Sequence, residues 1–285
     1  MKGIILAGGK GSRLYPITKG VSKQLIPLYN KPMVYYPLTT LMLADIREIL
    51  IITNREYIES YKCLLGSGED FGCLFEYIIQ EDPGGLPEAF KYGENFIQED
   101  SVALALGDNL FFGNNFASTL RRIKSNLNGA TVLGVQVSNP SEYGVVEFDN
   151  KGQIKDLIEK PTNPPSDFII PGLYFFDNSV VKRTKQLEPS KRGELEITDL
   201  LRTYLEENIL YIEKLPRGFS WFDTGTHDSL LDASNFVRQI EKNTNSFIGS
   251  PEEIAFRKGW IDKIRLQKLS NSLKNKYGEY LNKLI

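Results

Sequence analysis

Lys2-Gly-Ile-Ile-Leu-Ala-Gly-Gly-Lys-Gly-Ser-Arg-Leu14 is the stretch whose reading decides the fold. Its first half, residues 2–7, is a short apolar run of the kind that forms a buried parallel strand. Its second half is a glycine-rich turn placed where an α/β sheet presents its carboxyl edge to ligands. Outward from it the pattern repeats. Residues 49–53, 75–79 and 102–106 read as further buried strands, and residues 33–45, 56–65, 86–96 and 116–126 have the length that a right-handed crossover helix needs. A βαβ succession follows, hence an α/β fold with a Rossmann-like, mostly parallel mixed sheet flanked by helices. After Gly129 the texture turns strand-rich, at 131–137, 143–148, 154–159 and 168–176, with Asn-Pro, Asp-Asn-Lys-Gly and Pro-Pro turn signals between the runs. This predicts an inserted or extended sheet that covers a ligand cleft. From Asp228 onward the patterning is helical, and Pro251 followed by Glu252 and Glu253 is a good helix start. The expected division is a main domain over 1–240 and a helical C-terminal region over 241–285.

Composition narrows the function. The chain has 285 residues, 34 basic against 36 acidic, for a net charge of -2. No global positive field is available to hold a nucleic-acid backbone, so no nucleic-acid partner is expected and any phosphate binding must be local. No apolar stretch approaches a membrane-spanning length and the opening run is too quickly broken by glycine for a signal peptide, so a cytoplasmic protein without membrane attachment is expected. Cys63 and Cys73 lack a metal-ligand pattern and read as ordinary buried thiols. His227 is the only histidine, which excludes a multi-histidine zinc site and makes imidazole-driven acid-base chemistry improbable.

In the turn itself, Gly8, Gly9 and Gly11 let backbone N–H groups close on phosphate oxygens, and Lys10 and Arg13 add charge. Leu14 stands where a third glycine of G-x-G-x-x-G belongs, and no G-x-x-x-x-G-K-[ST] register fits, which disfavours dinucleotide and P-loop enzymes. Asp108 follows the buried-strand pattern of 102–106, so its carboxylate is expected at the ligand edge of the sheet. Gln80 ends the third strand before a turn over 81–86, and its amide can donate and accept together, the pairing a pyrimidine carbonyl and N3–H present.

Leu6-Ala-Gly-Gly-Lys-Gly-Ser-Arg-Leu14, Pro16 and Ser22-Lys-Gln-Leu-Ile-Pro27 resemble the signature of the sugar nucleotidylyltransferases, the nucleotide-sugar pyrophosphorylases. Gly107-Asp-Asn109, Glu142-Tyr-Gly-Val-Val-Glu-Phe-Asp149, Arg192-Gly-Glu-Leu-Glu-Ile-Thr-Asp199 and Trp221-Phe-Asp-Thr-Gly-Thr-His-Asp228 extend the similarity, from Gly3 nearly to the C-terminus, to the branch that couples dTTP with glucose 1-phosphate. The resemblance implies the family's nucleotide-diphospho-sugar transferase fold and release of pyrophosphate as dTDP-glucose forms, the entry to dTDP-deoxysugars such as dTDP-rhamnose. It implies Mg²⁺ as cofactor on Asp108 and Asp223. It gives Arg13, Lys23 and Lys160 catalytic roles on the phosphates. It places the nucleotide against Leu6, Gly8, Gly9, Gly11, Ser12, Arg13, Gln24, Gln80 and Gly85, and the sugar phosphate against Tyr143, Gly144, Glu159, Lys160 and Ile170. A homotetramer with a regulatory nucleotide-sugar site in the C-terminal region is likewise implied. The sequence departs from the usual pattern at Pro87, where alanine is commoner, and at Pro171, where threonine is commoner. The chemistry suits the missing histidines: a phosphate monoester with a second pKa of about 6 is already ionised, so the nucleophile needs no general base, only cations that relieve repulsion between two polyanions.

Overall fold

The computed structural model describes residues 1–81 and 84–285. Its strands, in chain order, are β1 (Lys2–Ala7), β2 (Pro27–Leu28), β3 (Lys31–Pro32), β4 (Glu48–Thr53), β5 (Leu74–Ile79), β6 (Val102–Leu106), β7 (Asn109–Phe112), β8 (Ala130–Gln136), β9 (Gly144–Phe148), β10 (Ile154–Glu159), β11 (Phe168–Ile169), β12 (Leu173–Phe176), β13 (Leu210–Lys214) and β14 (Ser220–Asp223). Ten of them form one sheet in the order β10-β9-β11-β8-β12-β6-β1-β4-β5, with β13 paired to β8. β5, β4, β1 and β6 run parallel, as their apolar runs require, and β12 crosses to antiparallel against β6. Of the two forms expected for the strand-rich stretch, inserted or extended, the structure has the second, a continuation of the same sheet.

Alternation along the strands splits the core cleanly. Ile5, Ile49, Ile51, Ala103 and Phe175 face one side, and Ile4, Leu50, Ile52, Leu104 and Phe176 the other, all buried. Successive side chains of a strand point to opposite faces, so a strand apolar throughout must be covered twice. The helices that do so are α1 (Tyr35–Leu43), α2 (Ile58–Leu65), α3 (Glu88–Tyr92), α4 (Glu94–Ile97), α5 (Phe116–Ser125), α6 (Val180–Lys185) and α7 (Ile197–Glu206). The C-terminal stretch adds α8 (His227–Thr244), α9 (Pro251–Arg257), α10 (Lys263–Ser272) and α11 (Lys276–Asn282). Ala255, Ile261, Leu266 and Leu281 of that stretch join the same core cluster as Tyr35, Phe71 and Ile49.

Some expectations shift in detail. The helix expected over 86–96 is two short helices broken at Gly93, and the strand over 168–176 is two strands interrupted by the Ile170-Pro171-Gly172 turn. Asp82 and Pro83 of the expected 81–86 turn lie outside the described residues. Only Cys73 is a buried thiol; Cys63 is exposed, because it falls on the solvent side of α2. His227 is the exposed first residue of α8, where Thr226 and Ser229 form a capping box.

Candidate active site

The strand order reverses at β1, with β4 to one side and β6 to the other. In open α/β sheets the carboxyl ends of strands at such a point leave a crevice. Here it is a cleft of about 920 Å³. One wall comes from the glycine loop and the ends of β5 and β6, the other from β9, β10, the turn after β11 and the segment leading into α7.

Leu6, Gly9, Ser12, Arg13, Gln24, Gln80, Gly85, Asp108, Tyr143, Gly144, Glu159, Lys160, Ile170 and Asp223 all line this cleft. Three expected residues sit just behind its surface. Gly8 lies under the Gln80 amide and Gly11 packs beside Lys23. Lys23, only 7% exposed, reaches from beneath to form an ion pair with Asp108 Oδ2. The loop does not enter a long helix. It passes through three-residue 3₁₀ turns at Ser12–Leu14, Ile17–Lys19 and Lys23–Leu25. Side-chain charge, rather than a helix dipole, must then supply most of the positive field there.

Two carboxylates meet on the floor. Asp108 is in the turn between β6 and β7, and β14 pairs with β7 so that Asp223 stands opposite Asn109. Thr224 donates from both its N–H and its hydroxyl to the Asp108 carbonyl, at 3.2 and 2.8 Å, which fixes the two segments together. Burial pushes the Asp223 carboxyl up to about 6, and the charge of Asp108 pushes the same way, against Lys23 and Arg13. Two like charges held together in a partly desolvated place lack sufficient counter-charge, which is the condition a hard divalent cation relieves. Among the described residues no cluster of three or more potential ligands forms, and Mg²⁺ asks for no more than one or two carboxylates besides phosphate oxygens and water. The donor set fits it.

The Arg13 guanidinium lies beside Asp223. A side chain on Gly225 would come within 2.8 Å of Arg13 and 3.0 Å of Asp223, so a glycine there lets both groups approach. On the far wall Glu159 closes β10 and Lys160 follows it at φ 43, a left-handed conformation that costs a non-glycine residue energy and is stored mainly at functional sites. Lys160 is about half exposed, its ammonium 4.0 Å from Glu159 Oε1. Glu159 Oε2 is buried and without a hydrogen-bond partner among the described residues, as is the Thr198 hydroxyl. Thr198 approaches closely enough to favour ionised Glu159, yet the two atoms do not meet at bonding geometry. Burial is the main cause that raises the Glu159 carboxyl above its ordinary range, followed by Glu196, with Lys160 and Arg192 opposing. A buried, unpaired acceptor beside a buried, unpaired donor costs free energy unless a ligand completes both.

Several lining residues had no role in the sequence reading. Arg192 stands 3.9 Å from Glu159 and 3.5 Å from Glu196, adding a second cation to that wall beside Lys160. Trp221 stacks edge-to-face on Tyr143 at 5.3 Å. Leu195 lines the cleft as well: Gly85, expected against the nucleotide, has φ 111 and brings its backbone against Leu195, whose N–H donates to the Gly84 carbonyl. These residues sit in the very motifs that carry the resemblance, 192–199 and 221–228, so the signal was present; what sequence lacks is the placement of α7's start opposite the glycine loop.

Comparison with known proteins gives the chain its relatives. Residues 2–240 match the family model described as "Nucleotidyl transferase". The chain is 53% identical over its full length to the glucose-1-phosphate thymidylyltransferase of Neisseria meningitidis, covering 99% of that protein. It is 50% identical to the enzyme of the same name from Xanthomonas campestris, over 99% of this chain and 96% of that one. A Bacillus anthracis crystal structure assigned to the same enzyme superposes with TM-score 0.79 at 38% identity, over 89% of this chain and 99% of that one. A UDP-glucose pyrophosphorylase holding UDP-glucose superposes at 0.73 with 27% identity, over 84% and 98%. Matched by that family model over residues 2–240 and by these relatives over nearly its whole length, the chain belongs to the nucleotidyl transferase family.

Proposed function

We propose that the protein joins dTTP and glucose 1-phosphate to give dTDP-glucose and pyrophosphate. The observation that carries this reading is the pair of carboxylates, Asp108 and Asp223, on the floor of a cleft whose two walls each bear cations. One wall has the glycine loop with Arg13, the other Lys160 and Arg192. Two polyanions brought together need that arrangement. In the proposed reaction a phosphate oxygen of glucose 1-phosphate attacks the α-phosphorus of dTTP in line, the α–β phosphoanhydride bond breaks, and pyrophosphate leaves with the bonding electrons. Arg13 offsets charge on the departing pyrophosphate, Lys23 on the α-phosphate, and Lys160 holds the sugar phosphate. Glu159 Oε2 accepts from a sugar hydroxyl, which relieves its unpaired burial. The Gln80 amide reads the pyrimidine edge, with Gln24 nearby. Mg²⁺, held by Asp108 and Asp223, would neutralise the nucleotide phosphates and orient them. No side chain needs to remove a proton, consistent with His227 lying exposed at the start of α8.

Alignment of the two anions supplies much of the remaining acceleration. Direct transfer inverts configuration at phosphorus. A chiral α-phosphorothioate analogue of dTTP should therefore give dTDP-glucose phosphorothioate of inverted configuration, and retention would contradict the direct step. Among the described residues no helix is long and apolar enough to cross a membrane; a cytoplasmic homotetramer is the proposed working form, and a monomer in light scattering at assay concentration would remove the assembly.

A further inference from the structure

We infer that Asn109 is a positioning residue whose amide, unable to flip, holds the Asp108 carboxylate in the orientation that receives the divalent cation. The inference rests on the reading of Asp108 as a cation ligand. Asn109 is 3% exposed, the first residue of β7. Its Oδ1 accepts from the Trp221 indole N–H at 2.6 Å and from the Gly172 backbone N–H at 3.2 Å. Both partners can only donate. The amide nitrogen must then face the other way, where it donates to Asp108 Oδ1 at 2.8 Å. A flipped amide would set its N–H groups against two donors and its oxygen against a carboxylate, so the network determines which atom is which.

The consequence is mechanical. Asp108 Oδ1 is held by Asn109 while Oδ2 pairs with Lys23. Asn109 faces Asp223 across the β7–β14 pair, and Trp221 lies two residues before Asp223 on the same strand. Gly172 ends the Ile170-Pro171-Gly172 turn on the sugar side of the cleft, and its carbonyl accepts from the backbone N–H of Leu106 in β6. One buried amide thus links the Asp108 carboxylate to the strand that carries Asp223, through Trp221, and to the sugar-side wall, through Gly172. Outer partners of this kind commonly set metal affinity by about 10- to 100-fold.

The test titrates Mn²⁺, followed by its EPR signal, into protein saturated with dTDP-glucose and free of pyrophosphate, so that nothing turns over. Asn109→Leu keeps the side-chain volume and removes both faces of the amide. Its Mn²⁺ affinity should fall by about tenfold or more, while dTTP affinity in EDTA and the melting profile show an intact cleft. A Mn²⁺ affinity equal to wild type overturns the inference. Where Asn109→Leu fails to fold, Trp221→Phe removes the stronger of the two pinning donors and leaves Asn109 in place; a loss in the same direction supports the lock and an unchanged affinity overturns it. Wild-type protein that binds no Mn²⁺ removes the cation reading itself, and the inference with it.

Discussion

At the residue scale, what the sequence could reveal was chemistry, and what it could not was neighbourhood. Arg13, Asp108, Lys160 and Asp223 were legible because their motifs are, and the fold brings them to one cleft. Arg192, Asn109 and Thr198 stood inside legible motifs yet were given no role, since what a lone arginine, amide or hydroxyl serves is decided by its burial and partners. Arg13 is exposed and contributes little to folding, so Arg13→Ala should keep its melting temperature and lose on the order of 10² or more in turnover, as removal of a transition-state cation does; a steady-state assay showing near-normal turnover would remove its catalytic role. For Asp223 the sign can be worked through. Its folded-state pKa, about 6, lies above the ordinary 3.8, so between those values the folded chain holds a proton that the unfolded chain has lost. Stability of the metal-free protein then falls as pH rises through that window, by up to about 3 kcal/mol. Asp223→Asn, melted in EDTA, should gain a few degrees at pH 7.5 and much less at pH 4.5, and Mg²⁺ should no longer raise its melting temperature. Equal melting of both proteins at pH 7.5 would contradict the strained carboxylate pair.

At the element scale, the buried parallel strands were read nearly to the residue because an apolar run of fixed length has few alternatives. β7, β13 and β14 were not read. The Ser220–Asp223 strand is half-buried on both faces and pairs only with β7, so it shows no alternation to detect. Ile197–Glu206 is a strongly one-sided helix whose motif drew the eye to family likeness rather than to period. The β2–β3 hairpin carries a buried ion pair to α8 beside the core contact of Leu28. Lys31, 2% exposed, donates to Glu241 on α8 at 2.7 Å and to Asn30, and sits over the Phe247 and Tyr277 rings. Burial lowers the Lys31 pKa and Glu241 opposes that shift. Glu241→Leu should cost about 3 to 5 kcal/mol by leaving the ammonium buried without its counter-charge. The Lys31→Met, Glu241→Leu pair should recover a large part of that loss in denaturant unfolding. A double variant as unstable as the sum of the two singles would show that the pair is not coupled.

At the scale of the whole molecule, the C-terminal helices and the sheet share a core. Ala255, Ile261, Leu266 and Leu281 pack with residues of α1 and β4, and α8 delivers Glu241 to the hairpin that follows Lys23. The division at residue 240 that the sequence suggested by a change of texture therefore does not mark separable cores. A chain ended after residue 240 would leave Tyr35 and Phe71 facing water; it should be aggregation-prone in size-exclusion chromatography, and a monodisperse, fully active truncation would refute the shared core. The central claim concerns the cleft as a unit: two carboxylates and opposed cations built for nucleotidyl transfer between a nucleoside triphosphate and a sugar phosphate. Its most direct test is pyrophosphate release across dTTP, UTP, CTP, ATP and GTP, each paired with glucose, galactose, mannose and N-acetylglucosamine 1-phosphates, with Mg²⁺ and with EDTA. The account predicts Mg²⁺-dependent release that is greatest for dTTP with glucose 1-phosphate, and slower release with UTP, which lacks one methyl group worth about 1 to 3 kcal/mol; no release from any pair, by folded protein that still binds dTDP-glucose, would contradict it.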